Sequence, residues 1–437
     1  MFDVSTLAPK LHTFFTQTAQ AVARTSGFVT RSSKLTGALF LQILTFGFLG
    51  KPDASLTDLV ETSQELGVTI TKPGLQTRLE EAVPFLQTMF QQAQTLFQHT
   101  LRLDLTALHS FSAIYLTDSS AIALPPALQR EFPGCGGVGP QAALKIQLTF
   151  EFLRGTFTAL TLRSGRSPDQ VYTDDLHPVQ AGALYLADLG YFALARFQTL
   201  AAHQAYFLSR LDTQTAVVDE TTQESLDLVT WLQTQPDDLF EHSVLLGRRT
   251  GLPVRLVVTR VPPEVVEQRR RKAYDSARRK GRTPSAHHLE WLQWSCFITN
   301  VPASILTPAH VIRLYHVRWQ IELIFKLWKS HAALARVAGW RRPRILSELY
   351  AKLIGLVLTQ FVMAPYRDYH GELSPVKVLH ILQHYVPQLI VNLGNVPRLS
   401  RTLAMVVKRW LKNGLKDKRH KRRTTCQELA SWEASLA

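Results

Sequence analysis

Cysteine is scarce in this chain, with only three among 437 residues. Cys135, Cys296 and Cys426 show no metal-ligand spacing and cannot all pair with one another, which argues against a zinc site or a disulfide framework. We expect them to be reduced thiols in the cytosol, with packing as their role.

Long apolar segments are also missing. The apolar runs near residues 38–49 and 353–364 are shorter than the roughly 20 residues that a membrane span requires, so both predict buried helices. The N-terminus shows no basic region followed by an apolar run and a cleavage site. The sequence therefore predicts a cytoplasmic protein without a membrane partner.

Acidic residues are too few to balance the basic ones. The chain has 34 Asp and Glu against 49 Lys and Arg, which leaves a net charge of +15. Residues 267–282 hold eight basic and two acidic residues (+6), and residues 401–425 hold ten and one (+9). These two segments account for the whole excess. Such a distribution favours a polyanionic partner.

The spacing of apolar residues divides the chain into three parts. Residues 1–105 predict mainly helices, and residues 336–437 predict helices with a strongly basic end. Residues 106–335 have strands with a period of two together with helical runs, which predicts a mixed α/β domain. A hydrophobic content of 46% is that of a folded globular protein.

Two helices in the first part have the spacing of a helix–turn–helix. Ser55 and Asp58 open one apolar pattern, Gly67 ends it, and a second pattern runs from Leu75 to Leu86. Such a pair could read DNA, or it could simply be two packed helices joined by a glycine turn. The sequence leaves both interpretations open.

Strands dominate the first half of the central part. Alternating or short apolar runs predict strands at 111–118, 144–152, 156–162, 183–188 and 206–210. We interpret residues 213–291 as an insertion, which contains strands at 242–248 and 253–260 and a basic helix at 269–279. A last strand at 292–299 precedes a helix over about 308–330.

Two acidic residues end short apolar strands in this part. Asp118 follows the first predicted strand and Asp188 follows the fourth. Strand ends of open α/β sheets are common places for sites. For either residue taken alone, the favoured interpretation is a cap of a turn or a helix.

The helix at 308–330 carries a narrow polar stripe. At about 100° per residue, Tyr315, Arg318, Glu322, Lys326 and Lys329 fall within an arc of roughly 80°. A solvated face with Glu–Lys pairs would give the same pattern. With Asp118 and Asp188 nearby, however, Glu322 would complete a cluster of three carboxylates, the oxygen ligands that Mg²⁺ takes. Two such ions serve phosphodiester chemistry.

The residues of this stripe resemble the Tyr-x2-Arg-x3-Glu-x6-Lys motif of bacterial DDE transposases of the insertion sequence four family. The motif residues are, in order, Tyr315, Arg318, Glu322 and Lys329. The segment Asp118-Ser-Ser is similar to the first-Asp motif of that family, and Asp188-Leu-Gly-Tyr is similar to the second. All three motifs occur in order, and the resemblance extends from about residue 30 to residue 365.

The resemblance implies an α/β fold with an RNase H-like catalytic core and a β-rich insertion, flanked by helical N- and C-terminal regions. It implies that Asp118, Asp188 and Glu322 hold two Mg²⁺ ions, for which Mn²⁺ could substitute. The activity implied is cut-and-paste DNA transposition, with hairpin formation as in well-studied relatives. The partners implied are double-stranded DNA, at terminal inverted repeats and at the target, and a second copy of the chain, in the bacterial nucleoid.

Further residues are expected to contact DNA. The stripe residues expected to contact phosphates are Tyr315, Arg318, Lys326 and Lys329. Trp294 stands at the distance before the motif where hairpin-forming relatives hold a flipped base, although the sequence slightly favours a core Trp in an apolar strand. The basic residues expected to contact phosphates are Arg269, Arg270, Arg271 and Lys272, with a solvated helix as the competing interpretation.

Two rival functions stay open at this point. One is an RNase H-like nuclease that cleaves DNA without joining it. The other is a DNA-binding protein descended from a transposase and no longer catalytic. The three acids and the complete motif favour an active enzyme. The roles of the helical ends, DNA-end binding at 1–105 and dimerisation and DNA contact at 336–437, are further expectations.

Overall fold

A computed structural model describes residues 6–31, 34–99, 101–137, 139–172, 179–367, 372–417 and 424–433. The chain forms two compact units, each assembled from separate stretches. The first unit comprises Met1–Asp104, Ser119–Ser167 and Gln320–Cys426. The second unit comprises Leu105–Asp118, Pro168–Trp319 and Gln427–Ala437. The part of the basic tail at 418–423 lies outside the described residues.

The helices, in chain order, are α1 (Leu7–Thr13), α2 (Ala19–Thr25), α3 (Gly37–Gly50), α4 (Leu56–Glu65), α5 (Lys72–Glu81), α6 (Val83–Leu96), α7 (Leu194–Ala202), α8 (Leu228–Gln233), α9 (Pro263–Arg279), α10 (Ala286–Trp291), α11 (Pro308–His316), α12 (Trp319–Ser330), α13 (Arg342–Met363), α14 (Pro375–Asn392), α15 (Val396–Asn413) and α16 (Thr425–Glu433). The strands are β1 (Ile114–Leu124), β2 (Ala142–Glu151), β3 (Thr156–Ser164), β4 (Leu184–Ala187), β5 (Tyr206–Arg210), β6 (Val217–Asp219), β7 (Leu239–Leu246), β8 (Leu252–Arg260) and β9 (Trp294–Thr299).

Helix α13 is the centre of the first unit. Its residues from Arg344 to Met363 are all buried, and α3, α5 and α6 pack around it. By length and hydropathy the segment Arg342–Tyr366 could cross a membrane, but its apolar window is wholly buried inside the protein. This helix is longer than the apolar run seen in the sequence because it also buries Glu348 and Lys352, which pair with each other.

In the helix pair at the N-terminal side of this unit, the first helix follows the prediction, but the second pattern is divided, because α5 ends at Glu81 and α6 begins at Val83. Ser55 and Asp58 form a capping box at the start of α4, in which each side chain accepts from the other's backbone N–H. Gly67 ends the helix with a φ of +73°, a conformation that favours glycine. The pair also packs on the rest of the unit, since Leu59, Leu75 and Leu79 are fully buried. DNA reading by this pair stays a prediction.

The second unit is organised by a mixed sheet. Its strand order is β1-β4-β5-β9-β8-β7-β6, with β1, β4 and β5 parallel and the later pairs antiparallel. The first unit contains the antiparallel pair β2–β3, with β2 next to β1. Strand β1 itself passes from the second unit into the first after Asp118.

The predicted insertion extends this sheet. Strands β6, β7 and β8 lie beyond β9, which pairs with β5. Aromatic and aliphatic side chains of β5, β7, β8 and β9 share one buried cluster with α7, including Phe197, Phe207 and Trp294. The insertion therefore adds strands to the same sheet because its apolar face is continuous with that of β5.

Most predicted strands are confirmed, and two expectations at the motifs are wrong. Strand β1 does not end at Asp118 but continues to Leu124. The helix at 308–330 is broken: Val317 and Arg318 donate to carbonyls three residues back, at 3.0 and 3.1 Å, and the helix ends there. The five residues of the predicted stripe are therefore divided between α11, the turn and α12. Tyr315 ends up on α11, and Glu322 on α12.

Candidate active site

Asp118 and Asp188 occupy equivalent positions on two neighbouring parallel strands. The ladder between β1 and β4 ends with the pair Thr117–Ala187; Asp118 is the next residue of β1, and Asp188 is the first residue after β4. Neighbouring strands lie about 5 Å apart, so the two carboxylates start from adjacent backbone positions. Both residues are partly buried. The sequence predicted these two acids, and within the second unit the fold brings them together.

Arg318 lies beside the first of these acids. Its Nη1 atom is 3.7 Å from Oδ2 of Asp118, and the two side chains are only 12% and 19% exposed. The pair is an ion pair at the long end of the range, without the short bidentate geometry of the strongest Arg–carboxylate pairs. Arg318 comes from the turn between α11 and α12, so the break in the helix sets its position.

Tyr315 is a buried phenol near the same acids. Its ring packs against Phe297 of β9, with centroids 5.0 Å apart. Its Oη atom is buried without a hydrogen bond of normal geometry among the described residues. Burial raises the pKa of Tyr315 to about 12, Arg318 and Arg210 lower it, and the charge of Asp188 raises it further. The hydroxyl therefore keeps its proton and can donate it in a hydrogen bond.

Arg210 is a functional candidate that the sequence reasoning missed. It is the last residue of β5. Leu186 of β4 pairs with Leu208 of β5, and Asp188 and Arg210 each come two residues later. Its charge acts on Tyr315, Arg269 and Cys296. It makes no ion pair with a carboxylate in the part of the chain that the structure describes. The sequence could have indicated this candidate, because the strand predicted at 206–210 ends with Arg210.

Helix α12 presents the remaining motif residues in the first unit. Glu322 stands in its first turn and is partly buried, while Ile321, Phe325 and Trp328 are buried on another side of the helix. Trp328 packs edge-on against Phe157 of β3, with centroids 5.3 Å apart. This aromatic packing fixes the rotation of α12 about its axis.

The two lysines of α12 differ in their surroundings. Lys326 is exposed. Lys329 is partly buried, and its Nζ donates to the carbonyl oxygen of Ala121 on β1 at 2.7 Å. Burial lowers the pKa of Lys329. In this state Lys329 joins α12 to β1, so a phosphate contact by this residue would require the hydrogen bond to be exchanged.

A buried ion pair fixes the segment that follows α12. Lys352 Nζ donates to the carbonyls of Ala333 and Arg336, at 3.1 and 2.6 Å, and lies 2.8 Å from Glu348. Glu348 in turn accepts from the backbone N–H of Ala338. Ala333 has a φ of +47°, a strained value for a residue with a side chain. Helix α13 thus holds a strained turn at the end of α12.

The carboxylates of the candidate site are the type of ligand that a hard cation such as Mg²⁺ takes, but they are not assembled into a metal site among the described residues. Among the described residues, no group of three or more His, Cys, Asp or Glu is assembled to hold a metal ion. Asp118 and Asp188 supply neighbouring carboxylates, which are the oxygen ligands that Mg²⁺ prefers. Two carboxylates plus water and substrate oxygens fit the way Mg²⁺ is bound at phosphate-transferring sites.

Trp294 lies in the core of the second unit. It is only 4% exposed, it is the first residue of β9, and the guanidinium of Arg260 lies 4.3 Å from its ring centroid. Phe240 packs edge-on at 6.3 Å. This placement fits the interpretation of a core Trp. A role in holding a base would require Trp294 to leave these neighbours.

The four basic residues at 269–272 do not share one environment. Arg269 points inward and donates to the carbonyls of Leu292 and Trp294 and to Ser295 Oγ. Arg270 lies 3.6 Å from Glu290. Arg271 and Lys272 are exposed. Phosphate contact by all four stays a prediction, and the structure favours the two exposed residues for it.

Comparison with known proteins gives the family of these residues. Residues 109–358, which include both strand acids and α12, match the family described as "Transposase DDE domain". The chain is 26% identical to the transposase for insertion sequence element IS231B of Bacillus thuringiensis subsp. berliner, over 93% of this chain and 90% of that protein. It is 26% identical to the transposase for IS1151 of Clostridium perfringens, over 92% and 91% of the two chains. Identity to the transposase for IS231E of Bacillus thuringiensis subsp. finitimus is also 26%, over 97% and 94%.

Proposed function

Because this chain belongs to the transposase DDE domain family, we propose that it cuts an insertion sequence out of DNA and joins it to a target. The observation that carries the proposal is that Asp118 of β1 and Asp188, directly after β4, follow the last residue pair of the β1–β4 ladder. Around this pair the second unit gathers Tyr315, Arg318 and Arg210, a donor and two cations suited to phosphate.

Asp118, Asp188 and Glu322 are the residues we propose as ligands of two Mg²⁺ ions, for which Mn²⁺ could substitute. Bound there, the ions would activate the attacking oxygen and stabilise the leaving one. The strand register supports the first two ligands, and the motif spacing supports Glu322. Arg318, at 3.7 Å from Asp118, balances the charge of that carboxylate in the state described here.

Tyr315, Arg318 and Arg210 are proposed to position the scissile phosphate. Because the pKa of Tyr315 lies near 12, its hydroxyl stays protonated at neutral pH and can donate to a phosphate oxygen. Arginine side chains bind phosphate through paired N–H donors, which fixes orientation as well as charge. Lys326 is exposed and ready for a backbone phosphate, whereas Lys329 would first leave the Ala121 carbonyl.

The proposed reaction is a series of phosphodiester displacements. Water attacks the phosphorus at the element end, and the P–O3′ bond breaks to leave a 3′-OH. That hydroxyl then attacks the opposite strand, which closes a hairpin and releases the flanking DNA. A second water reopens the hairpin, and the 3′-OH finally attacks a target strand. Each step forms one P–O bond and breaks one, so one site serves all of them.

The RNase H-like architecture is part of the same proposal. The order β3-β2-β1-β4-β5, with β2 and β3 antiparallel and β1, β4 and β5 parallel, supports it. In open α/β sheets, sites form at the carboxyl ends of parallel strands. Asp118, Asp188 and Arg210 all lie at that edge relative to the β1–β4–β5 ladder.

We further propose that the active form is a homodimer that holds two element ends, in the bacterial nucleoid. The similarity to transposases of insertion sequences supports DNA as the partner. The net charge of +15 supports association with a polyanion. Terminal inverted repeats are the expected binding sequences.

A nuclease without strand transfer is the second candidate, and one experiment separates the two. The protein is incubated with a pre-cut element end that carries a free 3′-OH, a supercoiled target plasmid and Mg²⁺. A transposase joins the end to the plasmid and yields a covalent product. A nuclease cleaves an uncut end but gives no joined product. Failure of both reactions would favour a DNA-binding protein that has lost catalysis.

A further inference from the structure

Helix α15 carries cations along one exposed face and no acid anywhere. Its exposed basic residues, which we call the α15 basic face, are Arg398, Arg401, Lys408, Arg409 and Lys412. At 100° per residue they fall within an arc of about 100°. Met405 lies in the middle of this arc and is 47% exposed. The face is therefore a cationic strip with two groups of charge, Arg398 with Arg401 on one side of Met405 and Lys408 with Arg409 and Lys412 on the other.

The opposite side of α15 is fixed to the body of the first unit. Leu399, Leu403, Val406 and Trp410 are fully buried or nearly so. Trp410 Nε1 donates to the carbonyl of Val378 on α14 at 3.1 Å. Because these apolar side chains fill the core, the helix cannot roll to hide its cations. The α15 basic face is held toward solvent by packing.

The neighbours of α15 offer no acid to neutralise this face. It packs on α14 and α1, and neither helix contains Asp or Glu. Within the described chain, none of the five cations forms an ion pair with a carboxylate. Unbalanced positive charge of this density destabilises a fold unless a partner supplies anions.

In the basic helix α9, by contrast, part of the positive charge is paired within the protein. Arg270 pairs with Glu290, Arg278 pairs with Asp275 at 3.6 Å, and Arg269 turns into β9. Helix α9 also contains Glu264 and Glu267. Helix α9 thus has six cations and three acids, whereas α15 has five cations and no acid, and all five are exposed.

The partner that fits is a phosphate backbone, not a membrane. A helix that binds a bilayer inserts its apolar face, and that face of α15 is already in the core. From Arg398 to Lys412 the strip is about 21 Å long. This length spans about six base pairs of duplex DNA, whose phosphates recur every 3.4 Å along each strand. Helix positions three and four apart place cations about 5–6 Å from one another.

We propose that the α15 basic face binds the phosphate backbone of duplex DNA, whatever its sequence. The proposal rests on the proposed function for the identity of the polyanion as DNA, but it assigns a surface remote in sequence from the motif residues. The face contributes affinity and salt dependence, and it leaves recognition of the element end to other residues.

The test compares three variants with the wild type. The first replaces the whole face: Arg398→Gln, Arg401→Gln, Lys408→Gln, Arg409→Gln and Lys412→Gln. The second keeps the charge by exchanging Arg and Lys at the same five positions. The third, Met405→Gln, changes the middle of the face without changing its charge. Binding to a random-sequence duplex is measured by fluorescence anisotropy over a range of salt, without divalent metal.

The glutamine variant should bind DNA roughly tenfold or more weakly, with a dependence of log K on log salt that is shallower by about 4. The exchanged variant and Met405→Gln should bind like the wild type. If five substitutions disturb the fold, Arg401→Gln with Lys408→Gln gives the same test, with a change in slope of about 2.

Three outcomes would overturn the proposal. The first is a DNA affinity and a salt dependence of the glutamine variants that equal those of the wild type. The second is loss of DNA binding in the charge-preserving variant. The third is binding of the α15 basic face to phosphatidylglycerol vesicles that is as tight as its binding to DNA. The measurement does not need cleavage, so it is independent of the active site. A wild-type protein that binds through α15 but cuts no DNA would contradict the proposed function and leave this inference standing.

Discussion

Asp188 and Arg210 lie at equivalent positions on neighbouring parallel strands, each two residues beyond the paired Leu186 and Leu208. Asp118 holds the corresponding position on the other side of Asp188. Three neighbouring strands thus end their shared ladder with two acids and one arginine in a row. The charge of Arg210 reaches Tyr315, which also feels the charge of Asp188.

Replacement of Arg210 by Gln should slow strand cleavage about 10²-fold, because a preorganised phosphate donor would be lost. Arg210→Lys should recover part of the rate, since it keeps the charge but not the paired N–H donors. Arg248→Gln removes an exposed cation of the same unit and should leave the rate unchanged. Single-turnover nicking of a saturated end duplex measures all three, and equal rates for Arg210→Gln and wild type would exclude this role.

Replacement of Tyr315 by Phe should reduce cleavage about tenfold while the fold is retained, because only the buried hydroxyl is removed. The rate of the wild type should show no loss from ionisation of this phenol below about pH 10, because the pKa of Tyr315 is raised to about 12. Rates measured from pH 7 to pH 10 check this. A Tyr315→Phe enzyme that cleaves like the wild type would remove Tyr315 from the set of phosphate contacts.

The same phenol makes stability depend on alkaline pH. The pKa of Tyr315 is higher in the folded chain than the ordinary 10.0, so its contribution is complete below pH 10 and is lost as pH rises toward 12. Between pH 9 and pH 11 the wild type should lose about 1 kcal/mol more than Tyr315→Phe. Urea unfolding of both proteins at the two pH values measures the difference. An identical pH dependence would mean that the phenol is not buried.

The buried pair Glu348–Lys352 should be costly to break. Both side chains are at most 3% exposed, and removal of Lys352 leaves Glu348 with only the longer ion pair to Arg344, at 3.8 Å. Lys352→Met should lower the free energy of unfolding by about 3–5 kcal/mol. Lys51→Met breaks an exposed pair with Asp58 and should have a much smaller effect, because solvent screens that pair. Comparable losses in the two variants would show that the inner pair does not hold the turn after α12.

Trp294 offers a test of hairpin formation that keeps the core filled. Trp294→Phe preserves an aromatic side chain among Phe240 and the other core residues. If Trp294 holds a flipped base, the variant should nick element ends normally and form fewer hairpins. Gel analysis of first-strand nicks and hairpins separates the two steps. Normal hairpin yield would assign Trp294 to the core alone.

Much of the second unit could be predicted from the sequence because period-two patterns mark strands wherever one face is buried. Strand β4, which ends just before Asp188, and strand β5 at 206–210 are examples. The break at Val317 and Arg318 could not be predicted, since the apolar spacing of α11 continues into α12 without Pro or Gly. The backbone hydrogen bonds from Val317 and Arg318 to carbonyls three residues earlier depend on tertiary packing, and the local sequence pattern carries no information about that packing.

The direction in which a charged side chain points also could not be predicted from the sequence. The sequence shows four cations at 269–272, but it does not show that Arg269 donates to the carbonyls of Leu292 and Trp294. Arg210 is one arginine at the end of a strand, with no motif of its own, and only the register of β4 and β5 gives it significance. Conversely, the acids at 118 and 188 were recognisable because two strand ends and a motif converge on them.

The central claim is that Asp118, Asp188 and Glu322 together support metal-dependent cleavage, and the most direct test replaces each by its amide. Asp118→Asn, Asp188→Asn and Glu322→Gln keep the size of each side chain and remove its charge. End binding is measured without metal, and nicking of the same duplex is then measured with Mg²⁺. All three variants should bind the end like the wild type and show no detectable nicking. Nicking at the wild-type rate by Glu322→Gln would contradict the account.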